Sequence, residues 1–131
     1  MKVIRTVNLI PLNKEKTKIC LVKKVSQDKN HAKWCFPGES IKAGETNEKA
    51  IIRIIKDQMN GEASDFKEFK KTENRVKFAV IKSQYLTGTI EGDFQLDKRK
   101  YSEFKWFNLD DELLSLEFAF DGHKIITNLL K

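Results

Sequence analysis

Hydrophobic and polar residues alternate with period two from Lys2 to Leu12 and again from Thr17 to Val25. This pattern predicts two strands, because successive side chains of a strand point to opposite faces. The polar run Asn13-Lys14-Glu15-Lys16 between them reads as a turn, and the polar stretch Ser26 to Lys33 as a loop. Residues 34 to 44, with Pro37, Gly38 and Gly44, read as an irregular loop. The spacing then changes to that of a helix. Thr46 predicts its N-cap, although Glu48 and Lys49 do not complete a strict capping box, and the helix runs to about Asn60 with Gly61 as its stop. Phe66 to Thr72 and Arg75 to Leu86 predict a hairpin turning at Glu73-Asn74. Thr87 to Tyr101, polar and carrying Gly88 and Gly92, reads as a mobile loop, and Glu103 to Leu109 as a strand. Asp121 is positioned to cap a last helix through Leu130. Strands and helices mix without regular alternation, and no repeat or linker interrupts them. One α+β or α/β domain over residues 1–131 is expected, rather than a doubly wound sheet.

Composition narrows the setting. A chain of 131 residues suits one core, and 40% hydrophobic content argues against global disorder. No apolar run approaches the ~20 residues of a membrane span, so no membrane partner is expected. The opening MKVIRTVNLIPL lacks a signal-peptide layout, which places the expected site of action in the cytoplasm. Cys20 and Cys35 read as buried reduced thiols; a lone pair with this spacing makes no metal site. The net charge of +6 favours anionic partners, either phosphorylated small molecules or nucleic acid, while a lysine-rich solvated surface explains the same charge. Lysine is a weaker choice than arginine for bidentate recognition, so nucleic acid is the weaker of the two partners.

Placing Thr46 to Asn60 on a helix puts Asn47, Ala50, Ile51, Ile54, Asp57 and Gln58 on one broad face, with Glu48, Ile52, Ile55 and Met59 on another. His31 and His123 are the only imidazoles; His31 reads as solvated, a functional role is the lesser reading for His123 at the start of the last helix, and no Ser-His or Cys-His pair can be argued. Trp34, Phe36, Phe78, Tyr85 and Trp106 could include a stacking platform, although strand aromatics more often fill a core. Lys23, Lys24, Lys42 and Arg53 could meet phosphates.

The stretch from Trp34 to Gly61 resembles the signature of the Nudix family. The lead-in Trp34-Cys35-Phe36-Pro37-Gly38, the turn Ala43-Gly44-Glu45-Thr46, Arg53 seven residues after Glu45, and the aliphatic Ile55 carry the resemblance. Glu103-Phe104-Lys105-Trp106-Phe107 resembles a late family strand, and Phe118-Ala119-Phe120-Asp121 the start of its closing helix. The resemblance implies an α+β fold, a Nudix-type α/β/α sandwich with a mixed sheet. It also implies hydrolysis of a nucleoside diphosphate linked to another moiety, with Mg²⁺ or Mn²⁺ as cofactor if the site is active. Family members often dimerise, so a homodimer is compatible with it.

The departures lie where the family chemistry is concentrated. Glu39 stands for the family's first glycine, Ile54 for the glutamate after the arginine, Asp57-Gln58 for the glutamate pair, and Asn60-Gly61 for the final glycine and aliphatic residue. Three expected carboxylates have become one plus a neutral amide. On the resemblance, the catalytic residues would be Glu45, Arg53 and Asp57; Asp57, Glu45, Glu39 and Gln58 would face a metal; Lys42, Trp34 and Glu103 would meet substrate. The Glu45–Arg53 pair is expected to tie loop to helix. Glu39, Glu45 and Glu103 could compensate for the lost acids. Two functions stay open: a hydrolase, slow or with an altered metal site, towards which the surviving residues lean, and a catalytically inactive nucleotide- or RNA-binding module on the same fold.

Overall fold

Both faces of the first strand bear apolar side chains in its second half, so it must lie between two layers. The computed structural model, which describes residues 1–131, places it there. Strand β1 (Lys2–Leu12) runs parallel to β6 (Ala79–Glu91) along its whole length, from Lys2 beside Ala79 to Leu12 beside Thr89. The remaining pairings are antiparallel. β2 (Lys18–Lys24) meets β1 at Ile19 and Leu12, and also pairs with β3 (Trp34–Cys35) and β7 (Tyr101–Asn108). β4 (Gly38–Ser40) lies on β1, and β5 (Glu62–Val76) forms the far edge against β6. The result is a mixed seven-stranded sheet.

Helix α1 (Asn47–Met59) covers one face. Val7, Leu9, Cys20, Val22 and Leu86 meet its Ala50, Ile51, Ile54, Ile55 and Met59 in one buried cluster. Helix α2 (Gly122–Leu129) and a 3₁₀ turn at Asp111–Ser115 cover the other face, where Ile10, Leu12, Ile19, Leu21 and Tyr85 meet Leu113, Ile125 and Ile126. Odd and even positions of β1 and β2 thus feed opposite layers, which is how a period-two pattern becomes an α/β/α sandwich. Each fully buried isoleucine of α1 stabilises this layer by about 1.5–3 kcal/mol. No helix is long and apolar enough to cross a membrane.

Thr46 caps α1 as its sequence predicts: its hydroxyl accepts from the Lys49 amide at 3.2 Å. The stop differs from the expectation. Asn60, not Gly61, takes the left-handed conformation (φ 54°, ψ 37°), which Asn tolerates better than most side chains. Gly61 is needed instead for space, because a Cβ there would meet the Phe94 ring. The hairpin turns at Lys77-Phe78 rather than Glu73-Asn74, so β5 and β6 are longer than their polar composition suggested. β6 continues through Glu91, and Thr87 to Glu91 is strand rather than loop. Phe94 and Leu96 of the following segment pack against the α1 layer. The stretch 34 to 44 is not wholly irregular, since it contributes β3 and β4. Asp121 precedes α2 but makes no side-chain cap. Cys20 and Cys35 are buried and free, with thiol pKa values pushed up to about 12 by burial.

Candidate functional site

Strand β4 delivers Gly38 and Glu39 beside the end of α1, and the sequence of each element fixes what they meet. Gly38 sits against Asn8 of β1 so closely that a Cβ would overlap the Asn8 side chain. This approach lets the Gly38 carbonyl accept from Gln58 Nε2 at 3.3 Å. Gln58 is buried, and its Oε1 accepts from the Tyr101 hydroxyl at 2.7 Å. Burial pushes the Tyr101 phenol well above its ordinary range, so it is a neutral donor. Ile54, one turn earlier, is fully buried in the α1 layer.

The two glutamates converge on one arginine. Arg53 Nε donates to Glu45 Oε2 at 2.7 Å and Nη2 to Glu45 Oε1 at 3.0 Å, a bidentate fork. Arg53 Nη1 donates to Glu39 Oε2 at 2.9 Å. Glu45 Oε1 also accepts from the Lys42 amide at 2.8 Å, which closes the loop onto the helix. Arg53 and that amide hold the Glu45 carboxyl at a pKa of about 2. The other Glu39 oxygen accepts from Lys100 Nζ at 3.0 Å. Partial burial works against the Glu39 charge, but Lys100 and Arg53 outweigh it and keep the carboxyl below its usual range.

The structure therefore brings Glu39, Glu45, Arg53 and Gln58 together and leaves Asp57 apart. Asp57 is exposed and its side chain makes no hydrogen bond or ion pair, which corrects its expected place on the face of Gln58. The covered face of α1 is centred nearer Gln58 and takes in Ile55 and Met59, which were expected to lie on another face. Asp57 falls about 20° beyond Ala50, just outside that arc. Lys42 contributes its backbone, with its side chain outside the cleft described below. Trp34 is buried in an edge-to-face contact with Phe107, under the Lys23 ammonium. Glu103 pairs with Lys23 at 3.5 Å on the β2–β7 ladder.

These acids are poorly arranged for a divalent cation. Magnesium takes hard oxygen ligands with free lone pairs in an octahedral set. Here each Glu39 oxygen is committed to a cation, Glu45 is held by a guanidinium and an amide, Gln58 Oε1 is taken by Tyr101, and Ile54 offers no ligand. No group of three or more His, Cys, Asp or Glu side chains converges anywhere in the chain. As they stand, the residues do not fit the metal cluster that the sequence resemblance implies.

Beside this network, on the α2 face of the sheet, opens a cleft of about 770 Å³. Phe36, Tyr85, Phe118 and Phe120 give it an aromatic wall, with Phe36 and Phe118 stacked at 6.5 Å. Lys24, Lys29, Lys33 and Arg75 oppose Glu39 and Asp121 in its lining. Phe120 is 67% exposed, holds φ at 53°, and lies 5.6 Å from the Lys24 ammonium. Asn30 is 8% exposed; its amide N–H is bound by Asp28, while its side chain has no protein partner. Asp121 is held by Asn74 at 3.0 Å. Sequence reasoning found Lys24, Phe36 and Tyr85 but not Lys33, Arg75, Asn30, Phe120 or Asp121 as cleft residues. Phe118-Ala119-Phe120-Asp121 was visible only as a helix start, because nothing in the sequence says that its backbone bridges to β3 at Trp34.

The family model described as NUDIX domain matches residues 2–129. Among curated protein sequences, none matches the chain. Solved structures do. The solution structure of the Escherichia coli ORF135 protein superposes with a TM-score of 0.85 at 19% identity, covering 99% of this chain and 90% of that one. MutT from Aliivibrio salmonicida and Vibrio cholerae gives 0.82 at 17% identity, over 98% of each chain. The NUDIX domain of Shewanella oneidensis NrtR, solved with ADP ribose, gives 0.79 at 18% identity, over 98% of this chain and 87% of that one. At these identities the likeness concerns the fold.

Proposed function

The chain belongs to the Nudix family, and from that premise we propose that it is a binding module for a nucleotide-type small molecule, built on a hydrolase fold whose metal cluster has been closed. The observation that carries the reading is the contrast between the two halves of the site. Apart from the exposed Asp57, every acid that could face a metal beside α1 is tied to a protein cation or replaced by a neutral side chain. The adjoining cleft keeps an aromatic wall, an unpaired amide at Asn30 and an excess of cations. Aromatic faces suit a base and the cations suit its phosphates. The NrtR domain bound to ADP ribose supports a ligand of this class. Fold alone does not establish an activity, so the site decides.

Family hydrolases generally use Mg²⁺ or Mn²⁺ to stabilise charge on the phosphoryl oxygens and activate water. A slow hydrolase is the second reading, and Asp57 favours it, since this carboxylate on α1 is unspent. Nucleic acid is a weaker partner, and its binding would weaken steeply with salt.

The test is a panel of nucleoside triphosphates, dinucleoside polyphosphates, nucleotide sugars and ADP-ribose, read both by product formation and by thermal stabilisation. Stabilisation without product, in chelator as well as with metal, is the expected result. Metal-dependent turnover that disappears in Asp57→Ala would overturn the binding-module reading and establish the hydrolase.

A further inference from the structure

Resting on that reading, we propose that Lys100 is the resident cation of this site: its ammonium group takes the place of a divalent metal and holds the diphosphate of the ligand. Glu39 and Glu45 carry two negative charges, and Arg53 and Lys100 return two positive ones within hydrogen-bond distance. The cluster is already neutral. A divalent ion entering beside Glu39 would have to expel Lys100 and sit against the Arg53 guanidinium, with Gln58 unable to add charge and Ile54 unable to add a ligand.

An ammonium has three N–H groups. Glu39 takes one at 3.0 Å, and two remain for phosphate oxygens. Lys100 is not itself in the cleft lining, but its side chain is 41% exposed and its partner Glu39 and its neighbour Tyr101 both line the cleft, which leaves the ammonium one hydrogen bond from that lining. The lysine is also held in place from behind. Its amide donates to the Asp97 carbonyl at 3.0 Å, its carbonyl accepts from Val25 N at 2.8 Å, and the next residue is the buried Tyr101 that binds Gln58. An ammonium positioned in this way needs little reordering to receive an anion, which favours affinity. Glu39 then has a purpose that its replacement of a glycine does not by itself explain: it orients a lysine.

The experiment has a metal arm and a ligand arm, both on the full chain. Mn²⁺ is titrated into wild type, Lys100→Gln and Glu39→Gln and followed by electron paramagnetic resonance. ADP-ribose and inorganic pyrophosphate are titrated calorimetrically in chelator into wild type, Lys100→Gln and Lys100→Arg. Expected are no saturable Mn²⁺ binding to wild type, ligand affinity weakened roughly tenfold or more in Lys100→Gln as one charge-assisted hydrogen bond is lost, and substantial recovery in Lys100→Arg. Saturable Mn²⁺ binding to wild type that is lost in Glu39→Gln would overturn the proposal, as would ligand affinity unchanged in Lys100→Gln. Pyrophosphate binding that depends on Lys100, with ADP-ribose not bound, would keep this proposal and refute the nucleotide reading. Failure of both ligands to bind would refute both.

Discussion

Replacing Gln58 by glutamate restores the residue type that the family signature expects and tests how the site has been rebuilt. Gln58 is 2% exposed; its oxygen receives the Tyr101 hydroxyl at 2.7 Å and its amide donates to the Gly38 carbonyl at 3.3 Å. A neutral glutamic acid can copy both contacts, since its carbonyl accepts and its hydroxyl donates. An ionised glutamate cannot, because its second oxygen would face the Gly38 carbonyl with no donor between them. The ionised form also brings an unpaired charge into a buried site. A carboxyl in such a place is raised by about two to three units above its reference of ~4.3, which corresponds to about 3–4 kcal/mol. The sign follows from proton linkage: between the unfolded and folded pKa values the native state binds more protons, so stability falls as pH rises through that interval. Gln58→Glu should lie within about 1 kcal/mol of wild type at pH 4 and about 3–4 kcal/mol below it at pH 8. Urea denaturation of both proteins at the two pH values measures this, and at pH 8 the midpoint on heating should drop by about 10 °C. Equal stability differences at pH 4 and pH 8 would show that the position is wet or can reorganise, and the account of a closed metal site would fail with it.

Other expectations follow from the same geometry. Because Arg53 and the Lys42 amide depress the Glu45 carboxyl to about 2, the stability from this pairing is fully present above the unfolded value and is lost as pH falls towards about 2; Glu45→Gln should flatten that part of an acid-unfolding curve, and an unaltered curve would argue against the pairing. Asp57→Asn should change stability by no more than about 0.5 kcal/mol and leave ADP-ribose affinity intact, because its carboxylate touches nothing; a loss of affinity in calorimetry would place Asp57 in the site. Phe120→Gly relieves a left-handed φ of 53° and should be neutral to about 1 kcal/mol stabilising, while weakening ADP-ribose binding by removing an exposed ring from the cleft wall. Unchanged affinity would remove Phe120 from the binding surface.

Much of the fold was legible because it depends on local alternation. The β1 and β2 strands, the Thr46 cap and the presence of α1 each follow from period, propensity or a capping side chain, whereas the buried face of α1 takes in Ile55 and Met59 and leaves Asp57 exposed. The hairpin turn was misplaced because β5 is an edge strand with few buried residues, so its polar composition resembles a loop. The helix stop was misassigned because Asn60 and Gly61 can both end a helix, and only the contact with Phe94 explains the glycine. At the site, the substitutions at Glu39, Ile54 and Gln58 were plain in the sequence, and so was the Glu45–Arg53 pair. The contact between Glu39 and Lys100 was not legible, because Lys100 lies 61 residues away and no spacing announces it.

Residue identity and periodicities of two and 3.6 were enough to read the family, the layered fold and the loss of carboxylates. What stands in their place came from three-dimensional packing. It turned Asp57 outward through the angular position of one residue on α1, spent Glu39 on Lys100 and Arg53, tied Gln58 to Tyr101, and gathered Phe120, Asp121, Lys33 and Arg75 around one cleft. Those outcomes depend on which distant segments share a few ångströms of space, and the long-range pairing of β1 with β6 and of β2 with β7 sets that arrangement.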